Sequence, residues 1–169
     1  MKIRILCIGK IKEPYLRDGI NEYLNRLKPY CQIEIVEVND EPVSDKPNDS
    51  EIELVKTKEG NKVSKLIKSG EYVIALDLGK KQLRSPEFAK YIEDKLVLGG
   101  SSITFLIGGS YGLSDELKKR ANDSITLSMM TFTHQMTRLI ILEQIYRAFK
   151  INRNETYHKW FTKNLNNIK

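Results

Sequence analysis

The chain has 169 residues, 40% of them hydrophobic, and 28 Lys plus Arg against 22 Asp plus Glu for a net charge of +6. That length and apolar content fit one domain with a full core. No apolar run approaches the roughly 18 residues of a membrane span, so a membrane protein is excluded and a cytoplasmic location is expected. The positive balance favours a polyanionic partner without identifying one.

Met1-Lys2-Ile3-Arg4 leads straight into an apolar run, Ile3 to Ile8, that reads as a strand covered on both faces and ended by Gly9, rather than into a signal-peptide core. From Glu13 to Leu27 the apolar residues Tyr15, Leu16, Ile20, Tyr23, Leu24 and Leu27 recur at spacings of three and four, which predicts an amphipathic helix stopped by Pro29. Gln32 to Val38 alternates and reads as a strand nearer the sheet edge. Cys7 and Cys31 lie in strand-like contexts without metal-ligand spacing; they read as reduced core residues, and no metal is expected.

Asn39 to Ser50 is polar and carries Pro42 and Pro47, the mark of a surface loop. Ser50 with Glu53 forms a capping-box pattern for a helix expected to reach about Ile67. Tyr72 to Leu78 is a third strand, with Asp77 near its end and Gly79 closing it. Ser85 then caps a helix from Pro86 to about Leu98, and Ser102 to Ile107 is a fourth strand. A short helix, Ser114 to Arg120, and a fifth strand, Ser124 to Ser128, follow.

The last predicted helix runs from Phe132 to about Lys150 with Thr131 or Thr133 as cap. Leu139 to Leu142 make it apolar all round, which implies cover on every side and suggests a homodimer interface as the second cover. Strict alternation of strand and helix predicts an α/β fold, a mostly parallel sheet with helices on both faces.

Ligands in such sheets bind beyond strand C-terminal ends. Three such ends stand out: Asp77, the stretch T-F-L-I-G-G-S-Y-G from Thr104 to Gly112, and Leu127 to Phe132. Gly108, Gly109 and Gly112 let backbone approach a ligand that a Cβ would push away. This is not a dinucleotide fingerprint, because Gly9-Lys10-Ile11 after the first strand has one glycine, and G-G-S-Y-G lacks the lysine and hydroxyl of a phosphate-binding P-loop.

Four stretches carry a specific resemblance: I-L-C-I-G-K-I-K at residues 5–12, F-L-I-G-G-S-Y-G-L at 105–113, M-M-T-F-T-H-Q-M-T-R-L-I-I-L-E-Q-I-Y-R-A-F-K at 129–150, and Y-H-K at 157–159. The sequence resembles the RlmH (YbeA-like) family of small SPOUT-class methyltransferases, which act on a pseudouridine in large-subunit ribosomal RNA. The resemblance implies a C-terminal trefoil knot, a homodimer, and S-adenosylmethionine bound in the knot. Carried over by position, Leu76, Gly108, Leu127, Ser128, Met129, Met130, Thr131 and Phe132 line the cofactor pocket.

The resemblance also implies N3 of pseudouridine as nucleophile, so its proton must be taken by a general base or its anion favoured by a cation. His134, Arg138, Arg147, Tyr157 and His158 are the candidates. The Y-H-K tail, reaching the partner's cofactor, points to His158 for the proton and Tyr157 for positioning the base. His134 reads rather as a helix-entry residue, and Arg138 and Arg147 also fit ordinary surface cations.

One departure is that the chain continues from Trp160 to Lys169 beyond a methyltransferase domain expected at 1–159. Lys80-Lys81 with Arg84, Lys118-Lys119-Arg120, and Arg147 to Lys159 are basic clusters available to RNA. A non-catalytic RNA-binding ribosome-assembly factor, and a flavodoxin-like small-molecule binder, are the competing expectations.

Overall fold

The computed structural model describes residues 1–157. Five strands, β1 (Lys2–Ile8), β2 (Gln32–Val38), β3 (Tyr72–Gln82), β4 (Ser102–Ile107) and β5 (Asp123–Thr126), alternate with five helices: α1 (Pro14–Leu27), α2 (Asp49–Ser64), α3 (Ser85–Leu98), α4 (Asp115–Arg120) and α5 (His134–Asn152). The strands form one sheet in the order β2-β1-β4-β3-β5, and every pairing is parallel.

The two faces of β1 explain the layering. Ile3, Ile5 and Cys7 pack into a core shared with Ile20 and Leu27 of α1, Phe88 and Ile92 of α3, and Ile141 and Ile145 of α5. Leu6 and Ile8 point the other way, toward Val63 of α2 and Leu117 of α4. A strand apolar at nearly every position, broken only by Arg4 after its exposed start, is therefore what a period of two with helices on both sides requires. β2, which alternates, is an edge strand as expected. Both thiols are buried, and burial pushes Cys7 up to about 12 and Cys31 up to about 11. Among the described residues no helix is long and apolar enough to cross a membrane.

Several boundaries differ from expectation for local reasons. α2 starts at Asp49, not beyond Ser50: the Asn48 side chain accepts the Glu51 N–H at 2.9 Å, so it takes the capping role assigned to Ser50, and Glu53 pairs with Lys56 instead. Ser85 is the first residue of α3 rather than its cap. Arg84 precedes it and donates its N–H to the Glu87 carboxylate at 2.8 Å, while the Ser85 hydroxyl reaches Gln144 of α5.

β3 does not end at Gly79. Gly79 takes a φ of +73°, residues 77–80 bulge out, and Ile125 of β5 pairs with Leu76 and again with Lys81. β5 ends at Thr126 rather than Ser128, because the Thr126 hydroxyl donates to the Ser128 carbonyl and begins a turn. Thr133 caps α5, accepting the Met136 N–H at 3.2 Å, so the helix starts at His134.

α5 also corrects the premise behind its expected second cover. It packs between α1 and α3 on one face of the sheet, so its own chain covers it on three sides. Ile141, Leu142 and Ile145 are fully buried without another copy, and Leu139 fits against Gly19 of α1, where a Cβ would come within 3.1 Å of it.

Candidate functional site

The C-terminal ends of β3, β4 and β5 converge with the starts of α1 and α5 on a cleft of about 710 Å³, within the roughly 300–1,000 Å³ of small-molecule sites. Leu76 to Leu78, Ile107 to Ser110 with Gly112, and residues 126–128 and 130–133 form its walls, completed by Glu13, Tyr15, His134, Gln135 and Thr137. Of the residues expected at a cofactor, Leu76, Gly108, Leu127, Ser128, Met130, Thr131 and Phe132 come together here. Met129 does not line the cleft and is 88% exposed beside it.

The glycine turn is built from backbone. Gly112 donates its N–H to the Gly109 carbonyl at 3.0 Å and takes a φ of +82°. A Cβ on Gly108 would lie 2.5 Å from the carbonyl carbon of Gly112, so any side chain there forces the turn open. Ser128 Oγ accepts the Met130 N–H at 3.0 Å and shapes the facing loop. The rim is apolar: Tyr15, Leu78, Met130 and Phe132 are large side chains left exposed.

The electrostatics are as specific as the shape. Among the described residues that line the cleft there is no lysine or arginine; the charged groups are Glu13 and Asp77, and Asp77 pairs with Lys118 of α4 at 3.2 Å. A wall without a fixed cation suits a neutral or cationic ligand and gives phosphates nothing to pair with. His134 lines the floor at the entry to α5. Burial, with Arg138 and then Lys12 acting in the same sense against Asp40, lowers its pKa below the usual imidazole value, so the ring is neutral at pH 7 and able to accept.

Arg138 overturns the expectation of a surface cation. It is fully buried one turn into α5, pairs with Glu37 at 2.7 Å, and donates to the carbonyls of Ile8 and Gly9 at 2.9 and 2.8 Å. It therefore ties the start of α5 to the ends of β1 and β2 behind the cleft. Position alone held a signal: Arg138 shares a helical stripe with buried Leu142 and Ile145.

Tyr157 is placed against its own chain. Its ring meets Tyr146 edge-on at 4.9 Å under the Arg147 guanidinium, and its hydroxyl reaches Glu143 at 3.2 Å and Tyr23 at 3.4 Å; none of these lines the cleft. Burial and the Tyr23 hydroxyl raise its pKa well above the usual phenol value, so it stays protonated. His158 and the stretch Trp160 to Lys169 lie outside the described residues. Arg147 pairs with Glu143 on the same face. Of the basic clusters, Arg120 serves the Lys68 and Glu71 carbonyls, whereas Lys80, Lys81 and Arg84 stand exposed on and just beyond the β3 bulge, with Arg84 beside a second cleft that shares Thr126, Leu127 and Phe132 with the first.

Comparison with known proteins agrees with this geometry. Residues 1–158 match the family described as "Predicted SPOUT methyltransferase". A protein of Clostridium acetobutylicum named ribosomal RNA large subunit methyltransferase H is 48% identical over 159 residues, 94% of this chain and all of its own length. A protein of the same name from Clostridioides difficile is 52% identical over the same share of each. A solved structure of a probable methylase family protein from Haemophilus influenzae superposes with a TM-score of 0.51 at 16% identity, covering 90% of this chain and 66% of that one, which is a likeness of fold.

Proposed function

The chain belongs to the SPOUT methyltransferase family, among the ribosomal RNA large subunit methyltransferases H, and we propose that it moves a methyl group from S-adenosylmethionine to N3 of a pseudouridine in large-subunit ribosomal RNA. It acts in the cytoplasm, as a homodimer, on the assembled subunit or ribosome. The observation that carries this is the cleft itself: largely apolar walls, a glycine turn presenting bare backbone, and no lysine or arginine among the described lining residues.

S-adenosylmethionine carries no phosphate and, when bound, supplies an already activated methyl group on a positively charged sulfur. The residues fit it on those grounds. Leu76, Ile107, Leu127 and Phe132 give apolar surface for an adenosine moiety and exclude water, while Gly108 and Gly109 present backbone to the cleft because the turn packs them against Gly112 and Glu59 with no room for a side chain. Glu13 puts a carboxylate near a cationic ligand, and Asp77 a second whose charge Lys118 offsets from behind the wall. Residues 127–133, with Arg138 holding the start of α5 to Ile8 and Gly9, are the segment we assign to the family's trefoil knot.

Because the methyl group needs no further activation, the protein's task is alignment of the nucleophile and removal of its proton. In this proposal the tail of a second copy brings His158 to the mouth of the cleft for the proton, with Tyr157 positioning the base. His134 is the alternative within the same chain, since it lines the cleft and is held neutral. Exposed Lys80, Lys81 and Arg84 are offered to RNA phosphates, and shape with a splayed base does the reading.

The test is incubation with tritiated S-adenosylmethionine and ribosomes from cells lacking the endogenous activity, with the label located by nuclease digestion and mass spectrometry. Label on N3 of one large-subunit pseudouridine is expected. Ribosome binding without label, with the donor still bound by calorimetry, would favour the non-catalytic assembly factor. Loss of label in His158→Ala with retention in His134→Ala assigns the proton to the tail, and the reverse assigns it to the cleft floor.

A further inference from the structure

Glu59, on α2, is 3% exposed and far from the surface expected of a glutamate. One carboxyl oxygen accepts the Glu41 N–H at 3.0 Å; the other, Oε2, has no hydrogen-bond partner. A buried carboxyl left half satisfied is costly. What it touches is the glycine turn: a Cβ on Gly109 would lie 3.0 Å from Oε2 and 3.0 Å from the side chain of Ile8. Gly109 lines the cleft and abuts the Glu59 carboxyl.

The next residue fixes the depth of this contact. Gly60 packs so tightly on Ser114, the N-cap of α4, that a Cβ there would collide with the Ser114 hydroxyl. Helix α2 thus braces the turn at both ends, Glu59 on Gly109 and Gly60 just past Gly112. Through Oε1 the same carboxyl holds Glu41, in the loop after β2.

We propose that Glu59 is a positioning residue for the methyl donor, holding the glycine turn against the loop after β2 and so setting the backbone shape that Gly108 and Gly109 present to the cleft. This rests on the cleft being the donor site. Burial raises the Glu59 pKa, Asp40 and the Glu41 charge add to that, and the Glu41 N–H and Lys62 oppose it. Asp40 and Glu41 face it from the loop and Lys62 from its own helix, while the glycine turn and Ile8 bring no charge. A neutral side chain of the same shape should therefore serve, and Gln is that side chain.

The experiment compares Glu59→Ala and Glu59→Gln with the parent by three measurements: amide hydrogen exchange at residues 109–111 without ligand, calorimetric affinity for S-adenosylmethionine between about pH 5.5 and 8.5, and kcat at saturating donor. Glu59→Ala is expected to speed exchange at 109–111 and weaken donor binding about tenfold or more, with kcat within about twofold of the parent. Glu59→Gln should restore both and flatten any pH dependence of binding. Thermal destabilisation of Glu59→Ala with parental exchange and parental affinity would overturn the proposal, as would a Gln variant no better than Ala. If the parent itself does not bind the donor, the site assignment fails instead, and exchange at 109–111 alone decides whether Glu59 holds the turn.

Discussion

The two ends of the sheet use charge in opposite ways. At the end where β1, β3 and β4 begin, charged groups close upon the chain: Arg4 donates to the Leu66 carbonyl at 2.6 Å and pairs with Glu71. Glu71 accepts from the Thr104 hydroxyl and the Lys68 N–H, and Arg120 serves the Lys68 and Glu71 carbonyls. Lys95 pairs with Asp123 at 2.8 Å beside them. At the other end, Arg138 and Glu59 are buried behind the cleft, and its walls are mostly glycine backbone, hydroxyls and apolar side chains, with Glu13 and Asp77 as charged groups and no lysine or arginine among the described lining residues. Side chains that satisfy one another have little left for a ligand. An end whose charges work from behind leaves its front to bind one.

The largest effect on donor binding should come from a crowded glycine at the cleft, and a second crowded glycine at the closed end is its control. Ala at Gly108 meets the Gly112 backbone and must open the turn, and a displacement of about 1 Å in such a site costs roughly 100-fold in rate. Gly108→Ala is therefore expected to lose donor binding and methyl transfer by about that factor or more. Ala at Gly99 collides with the Ser102 carbonyl at the closed end and should cost about 1–3 kcal/mol of stability with donor affinity unchanged. Calorimetry and urea unfolding on both variants check this, and equal losses of affinity would break the comparison.

Two arginines sharpen it further. Removing the Arg138 guanidinium leaves Glu37 and two carbonyls without their partner, so Arg138→Met should cost about 3–5 kcal/mol and weaken donor binding, because Gly9 and the His134 ring lie against it. Arg4→Met, at the closed end, removes a pair whose side chains keep about a tenth of their exposure; about 2 kcal/mol is expected, with affinity parental. Denaturant unfolding with calorimetry at a temperature where both variants are folded gives the answer.

How much of this the sequence could reveal follows from period and from competition between neighbours. The parallel sheet was legible because Ile5 to Ile8 and Phe105 to Ile107 are apolar at successive positions, and the cleft because a glycine turn ends β4 where two other strands also end. Caps were less so. Asn48 stands two residues before Ser50 and either can accept an N–H, so a pattern match to Ser50 and Glu53 does not decide between them. The buried charges were missed because residue type was weighed over position. Glu59 lies four residues from Val55 and from Val63, both buried, as Arg138 lies four from Leu142, so helical spacing placed both inside. The cover that α1 and α3 give α5 was not legible because both are distant in sequence and meet it only in the folded sheet.

The smallest effect concerns pH, where half-buried His134 and buried Glu59 oppose each other around the cleft. His134 has its pKa lowered by burial and by Arg138 and Lys12 against Asp40, so the folded protein resists its protonation. Its contribution to stability is present above the ordinary histidine value of about 6.5 and is lost as pH falls through the lower folded value. Glu59, with a raised pKa, runs the other way: its contribution is present below its ordinary value and is lost as pH rises through the folded one. In the parent the two partly cancel on mild acidification. Each variant should uncover the other: relative to the parent, His134→Asn should lose less stability as pH falls from about 7 to 5, because the histidine penalty is gone while the Glu59 relief and the lowered carboxylates Glu41, Glu87, Asp123 and Glu155 are common to both, whereas Glu59→Gln should lose stability more steeply than the parent. Urea unfolding of the three proteins at both pH values measures this. Parallel pH profiles would mean that neither group is held away from water as the cleft requires, and the contrast between the two ends of the sheet would then rest on shape alone.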